Sequence, residues 1–144
     1  MIKNHKDLEV WKEAVGLSVT CYTMTKSFPD SEQFGLASQM RRAAVSIASN
    51  IAEGAARSGS KEFLQFLYIS LASASELDTQ IEIARRVGFG KSAELERLQS
   101  QVNTISRMLQ GLIRSLKQKR SKTNHSYPVT NHRSPVSNHY SPII

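Results

Sequence analysis

The sequence predicts an all-α protein, an antiparallel up-down four-helix bundle (residues 1–120) followed by a disordered C-terminal repeat tail (residues 121–144). Apolar residues recur at steps of three and four in four segments, which is the period of an amphipathic helix. Short connections rich in Gly, Pro or Ser separate these segments, and no stretch alternates like a strand. In such a bundle each helix contributes one apolar stripe to a shared core.

The first predicted helix runs from Asp7, a suitable N-cap, to Ser27, and Pro29 ends it. Its apolar residues step by four and three: Val10, Ala14, Leu17, Cys21, Met24 and Phe28. The sole cysteine cannot form an internal disulfide, so Cys21 is interpreted as a small core residue.

The second predicted helix begins near Asp30 or Ser31, where Asp30 and Gln33 resemble a capping box, and ends at Arg57. One face carries Leu36, Met40, Ala43, Ala44, Ile47 and Ile51. A second group widens that face beyond what one core can cover, so we expect it to meet another subunit or a tightly packed neighbour: Val45, Ala48, Ala52 and Ala56.

The third predicted helix starts after Ser60 and stops at Gly88 to Gly90, a plausible left-handed helix end. The fourth starts after Ser92 and has a coiled-coil-like seam: Leu95, Leu98, Val102, Ile105, Leu109, Leu112 and Leu116.

Residues 123–143 form three seven-residue units with the pattern [ST]-N-H-x-x-P-[VI]. A proline in each unit forbids a continuous helix, and the low apolar content predicts an extended, disordered tail. Three histidines recur in it, but without Cys or carboxylate partners they predict at best an adventitious metal site. We therefore expect neither a metal nor a cofactor.

Charge is distributed unevenly along the chain. Residues 1–96 contain 11 Lys or Arg and 12 Asp or Glu, whereas residues 97–144 contain 8 Lys or Arg and no acid. A basic C-terminal third of this kind favours a polyanionic partner, RNA or DNA, although it also suits an acidic protein or simple solubility. The candidate nucleic-acid-binding residues are Arg107, Arg114, Lys117, Lys119, Arg120 and Arg41. Because no aromatic residues are interleaved with them, we expect contact with backbone phosphates and no base specificity.

Polar residues of the second and third helices form a second candidate cluster: Arg42, Asn50, Glu53 and Glu76. We interpret it as a structural polar network that fixes helix register or a subunit contact, the alternative being a catalytic or ligand-binding cluster. Glu53 and Arg57 have the spacing of an i, i+4 ion pair. Since the predicted helices lack histidine, the commonest general base, we expect no enzymatic activity.

Two further expectations concern location and nuclease chemistry. The N-terminus has no apolar signal core and no run is long enough to span a membrane, which predicts a cytoplasmic protein without membrane contact. Arg120 and His125 have the spacing of the Arg and His in HEPN ribonucleases, but His125 lies in the repeats rather than in a predicted helix.

A family resemblance covers roughly residues 5–118. The words QMRRAAVSIASNIAEG (residues 39–54) and SGSKEFLQFLYISLASASELDTQ (residues 58–80) resemble the bacterial four helix bundle protein family, also called the 23S rRNA intervening-sequence protein family. A more distant similarity is to the Avd accessory proteins of diversity-generating retroelements. The resemblance implies a homo-oligomer, a ring of five with a positively charged surface, and from the Avd proteins nucleic acid and a reverse transcriptase as partners.

The leading hypothesis is therefore a non-enzymatic, oligomeric bundle that binds nucleic acid through backbone phosphates, such as an RNA chaperone or a mobile-element accessory factor. The alternative is a protein–protein interaction scaffold without nucleic-acid function. A HEPN-like ribonuclease is the third hypothesis.

Overall fold

The computed structural model describes residues 4–124 and contains four α-helices: α1 (Glu9–Thr25), α2 (Leu36–Ala55), α3 (Ser60–Val87) and α4 (Ser92–Asn124). No strand occurs among these residues, which confirms the predicted all-α class. The repeats from residue 125 onward, including their histidines, lie outside the described residues. The predicted boundary at residue 120 falls inside α4, which continues to Asn124.

The helices are arranged as a square. α1 packs against α2 and α4, and α3 packs against the same two helices, whereas within residues 4–124 the Cα atoms of the diagonal pairs do not come within 8 Å of each other. All four predicted apolar stripes meet in one core, and its largest fully buried side chains include Leu17, Met40, Ile51, Leu77 and Leu98. The α1–α2 side is therefore opposite the α3–α4 side.

The starts of the first two helices differ from the prediction. Asp7 does not cap α1, because Asn4 Oδ1 accepts a hydrogen bond from Lys6 N at 3.1 Å and starts a separate 3-10 turn, His5–Asp7. Leu8 then occupies the N-cap of α1.

The predicted capping box of the second helix is wrong. Asp30–Glu32 forms a second 3-10 turn, and the Gln33 amide donates to the carbonyls of Thr25 and Phe28 at 3.1 and 3.2 Å instead of closing the box. Glu32 Oε2 accepts from Leu36 N at 3.1 Å and so satisfies a donor at the true start of α2. The helix ends two residues before the predicted Arg57.

The third and fourth helices begin where the sequence predicts. Gly88 ends α3 with φ of 81°, the left-handed conformation that glycine adopts without a steric penalty. In α4 the seam deviates near its end, because Ile113 is buried while Leu112 is only partly buried. A straight helix drifts relative to a strict seven-residue repeat, so the buried position moves by one residue.

Candidate nucleic-acid interface

The outer face of α4, which points away from the bundle, is exposed, and from residue 97 onward it carries no acid, the last being the exposed Glu96 near the start of the helix. Arg107 and Arg114 lie at its centre, one heptad or about 10.5 Å apart along the helix axis. The exposed residues around them are neutral and mostly polar: Ser100, Asn103, Gln110 and Gln118. From residue 97 to the end of α4 the chain has seven Lys or Arg and no Asp or Glu. Such a surface offers cations and hydrogen-bond donors, the groups that contact phosphate oxygens.

The remaining predicted bases of α4 are placed differently. Lys117 is exposed at the α3 side, with its Nζ 5.3 Å from the centre of the Tyr68 ring. A cation over an aromatic face is held by the ring quadrupole and stays available to an anion. Lys119 is exposed and Arg120 is half-buried near the end of the helix. Within residues 4–124, neither Arg107 nor Arg114 takes part in an ion pair.

Arg41 is set apart from the α4 surface. Its Nε donates a hydrogen bond to Thr25 Oγ1 at 2.9 Å, and its guanidinium carbon lies 4.9 Å from the centre of the Tyr22 ring. Arg41 is half-buried between α1 and α2, so the structure places it in a helix–helix contact. Sequence reasoning missed Thr25, although a polar residue four positions after Cys21 on the core side of α1 was a usable signal.

The four residues of the predicted polar network are not hydrogen-bonded to one another in the described chain. Asn50 Nδ2 donates to the Ser46 carbonyl and hydroxyl at 2.8 and 3.0 Å, and Ser46 reaches across to α3. Glu53 pairs with Arg57 at 3.3 Å, which confirms the predicted i, i+4 ion pair. Arg42 is exposed.

Glu76 is also exposed, and its Oε1 accepts from the Gln80 amide at 3.3 Å. The link between α2 and α3 is made instead by serines. Ser46 Oγ lies 2.8 Å from Ser73 Oγ, and Ser70 donates to the Ile47 carbonyl at 2.9 Å. Small hydroxyl side chains, rather than the four predicted residues, therefore connect α2 to α3 at this level.

A second cross-helix connection joins α3 to α4. Gln99 accepts a hydrogen bond from Arg85 at 2.7 Å and donates one to Asp78 at 3.2 Å. On the same helix Glu82 binds Arg86 and Arg85. The Arg86 hydrogen bond is the main cause of a lowered Glu82 pKa, and Arg85 adds to it. The single carboxylate of Glu82 offsets only one of the two positive charges, and both arginines lie on α3 rather than on the outer face of α4.

Two further features bear on chemistry. Burial raises the pKa of the Cys21 thiol to about 12, opposed by the nearby Arg41 charge, so this cysteine is not a nucleophile near neutral pH. Residues 4–124 contain no cluster of three His, Cys, Asp or Glu side chains that could hold a metal ion. No helix in this part of the chain has the length and apolar content to cross a bilayer.

The fold and this surface define an antiparallel four-helix bundle whose fourth helix has a basic outer face without acids from residue 97 onward. A protein-family profile for the 23S rRNA-intervening sequence protein matches residues 6–111. Because the match spans most of the chain, the protein belongs to that family.

The fold also resembles a solved structure. A protein of unknown function from the S23 ribosomal protein family of Bacteroides thetaiotaomicron superposes with a TM-score of 0.68 at 22% identity, covering 73% of this chain and 95% of that one. At this identity the similarity concerns the fold alone. The comparison with curated proteins finds no match.

Proposed function

We propose that the protein is a non-enzymatic, oligomeric helical bundle that binds nucleic acid through its backbone phosphates. The observation that carries the proposal is the outer face of α4, where Arg107 and Arg114 are exposed without an ion pair on a stretch that has no carboxylate from residue 97 onward. Both cations keep their attraction for phosphate, because no acid of α4 lies within two turns of either and none forms an ion pair with them.

The geometry favours phosphate contact without base reading. Arg107 and Arg114 are spaced by about 10.5 Å, which corresponds to about three nucleotide steps along one strand of a duplex. No aromatic side chain lies between them on this face to stack on a base. Binding is therefore expected to be sequence-independent and salt-dependent, as an RNA chaperone or a mobile-element accessory factor requires.

Association of several copies fits this proposal. A single α4 face presents few cations, and linking several such faces raises the overall affinity through effective concentration without any new contact. The group expected to meet another subunit is only partly covered: Ala48 is buried, Ala52 is half-buried, and Val45 and Ala56 are exposed. A ring of five and a reverse transcriptase partner are narrower forms of the same proposal.

An interaction scaffold is the second candidate, and exposed apolar side chains on α1 and α2 favour it. Val15, Val19 and Tyr22 follow one another at steps of four and three along α1, and Val45 is exposed on α2. Surfaces of this composition commonly contact other proteins. A scaffold would bind its partner through these side chains and would leave nucleic acid unbound at physiological salt.

The test is a binding titration with structured RNA and with duplex DNA at two salt concentrations. Replacing Arg107, Arg114 and Lys117 together by Gln should weaken binding to both nucleic acids. The slope of log binding constant against log salt concentration should become less steep by about 2 to 3, because each lost phosphate contact removes roughly 0.7–0.9. The matched control replaces Lys6, Lys26 and Lys91, which are exposed on other parts of the chain, and removes the same net charge. Equal effects of the two triple variants would contradict an α4 site.

A further inference from the structure

Phe34 is the most exposed large apolar side chain among the described residues, with 98% of its surface accessible. It lies in the connection between α1 and α2, two residues before α2 begins. An aromatic ring left almost entirely in water costs hydrophobic free energy that burial against another surface would recover. Its neighbours in the same segment, Asp30 and Glu32, are acidic.

A cavity of about 300 Å³ lies between α1 and α4 at the same end of the bundle. Its walls are formed by Val19, Thr20, Thr23, Met24, Glu94 and Arg97. This cavity is open to solvent on one side, and its volume is larger than the about 150 Å³ of an enclosed cavity that holds benzene, so a phenyl ring can enter it.

The cavity wall is less polar than its residue names suggest. The Thr20 hydroxyl donates to the Gly16 carbonyl and the Thr23 hydroxyl to the Val19 carbonyl, both at 3.1 Å. Both hydroxyl groups already donate within α1, so an apolar group that enters the cavity leaves no threonine donor without an acceptor. Val19, 62% exposed, adds aliphatic surface.

The cavity wall carries one cation, Arg97, and one carboxylate, Glu94, so Arg97 is the group that offers the acidic Phe34 segment an opposite charge. Arg97 is exposed on the cavity wall and has no ion pair among the described residues, and the Phe34 segment brings the carboxylates of Asp30 and Glu32. Glu94 is the one acid on the wall, and its Oε2 is buried without a hydrogen-bond partner. The exposed Ser31 hydroxyl of the same segment is a donor of the kind that this oxygen lacks.

We propose that the α1–α4 cavity of one copy receives Phe34 of a second copy. Phe34, the knob, and the cavity lie on different surfaces of one chain, so the contact is head-to-tail. Each copy can therefore insert its own Phe34 into one neighbour and bind the Phe34 of another. The inference rests on the proposed association between copies and names the contact responsible for it. It leaves the outer face of α4 accessible, because Arg107 and Arg114 lie more than two turns from Arg97 on the helix.

The test uses two full-length variants and their mixture, with the mass measured by light scattering. Phe34→Ser removes the ring but keeps the cavity, and Val19→Glu places a like charge opposite the acidic segment but keeps the ring. Both side chains are exposed, so circular dichroism should show unchanged helicity. Each variant alone should have the mass of one chain, 16.1 kDa, while wild type is larger. Mixed in equal amounts, they should form a dimer, because one intact knob and one intact cavity remain.

The matched control is Ile83→Glu, which places the same charge at a 46% exposed position on α3 and should keep the wild-type mass. An assembled Phe34→Ser variant, or a mixture that stays monomeric, would overturn this contact while leaving the proposed association intact. A wild-type monomer at micromolar concentration would overturn both. Phosphate binding by α4, measured on the same samples, is unaffected by the failure of the contact alone.

Discussion

Ser46 on α2 and Ser73 on α3 bring their hydroxyl oxygens within 2.8 Å of each other. A direct hydrogen bond between two such short side chains requires the helix backbones to run close together. Ser70 adds a second link to the α2 backbone, and Gly54 continues the close approach towards the end of α2. Small residues thus allow α2 and α3 to approach closely between Ser46 and Gly54, the second half of α2.

The close approach predicts that Gly54→Ala destabilises the fold. A Cβ at this position would lie 2.6 Å from Phe66 Cβ, so the helices must separate. We expect a net loss of about 1–3 kcal/mol in the free energy of unfolding, measured in urea, because the cost of overpacking exceeds the gain in helix propensity from alanine. The control is Gly16→Ala in α1, where nothing lies within 4 Å of the new Cβ, and it should gain about 0.5–1 kcal/mol. Equal stabilities would contradict the tight packing.

The sequence predicted the four helices and their buried faces, but it did not predict the start of α2 or the contacts of the polar residues between helices. Apolar periodicity alone determines which face of each helix is buried, so the core was predictable. The start of α2 was not, because Gln33 donates to carbonyls of the preceding connection, a tertiary contact that competes with the expected capping box. The expected network around Glu76 failed for a similar reason, since helix separation decides which side chains can meet and periodicity does not report it.

Thr25→Val should destabilise the α1–α2 contact. Thr25 is fully buried, and its hydroxyl accepts from Arg41 and donates to the Cys21 carbonyl at 2.7 Å. Valine keeps the volume but leaves the Arg41 Nε unpaired, at a cost of about 1.5–3 kcal/mol in the free energy of unfolding. Thr79→Val is the control, because Thr79 bonds only to its own helix and is exposed. Similar losses for the two variants would show that Arg41 finds other partners.

Cys21 predicts a loss of stability at alkaline pH. Its folded pKa of about 12 exceeds the ordinary value of 9.0, so the contribution of the neutral thiol is fully present below pH 9 and disappears as pH rises towards 12. Cys21→Ala should therefore lose less stability than wild type between pH 9 and 11. Iodoacetamide at pH 8 should alkylate wild type only after unfolding. Rapid labelling of the native protein would contradict this burial.

Glu82 predicts the opposite dependence at acidic pH. The Arg86 hydrogen bond lowers the pKa of Glu82, so its contribution to stability is present above the ordinary value of 4.5 and disappears as pH falls through the folded value. Glu82→Gln should therefore lower the melting temperature at pH 7 and have no effect at pH 2. The control is Glu13→Gln, at an exposed position without an ion pair, which should leave the melting temperature unchanged at both pH values. A pH-independent effect would indicate a packing role instead.

Deletion of residues 125–144 tests the interpretation of the repeats. Each unit carries a proline and little apolar surface, so the deletion should leave helicity and melting temperature unchanged. Phosphate binding should fall only slightly, because Arg133 is the only permanently charged side chain removed. A control deletion from residue 112 also removes the buried Ile113 and Leu116 and should lower the melting temperature.

The same deletion separates the phosphate-binding proposal from the ribonuclease reading, which needs His125. Full-length protein and the 125–144 deletion are incubated with structured RNA, and both cleavage and retained complex are measured on gels. We expect intact RNA in both samples and nearly equal complex, because the exposed arginines of α4 remain. Cleavage by the full chain that disappears with the repeats would instead make Arg120 and His125 a catalytic pair and the repeats part of the working protein.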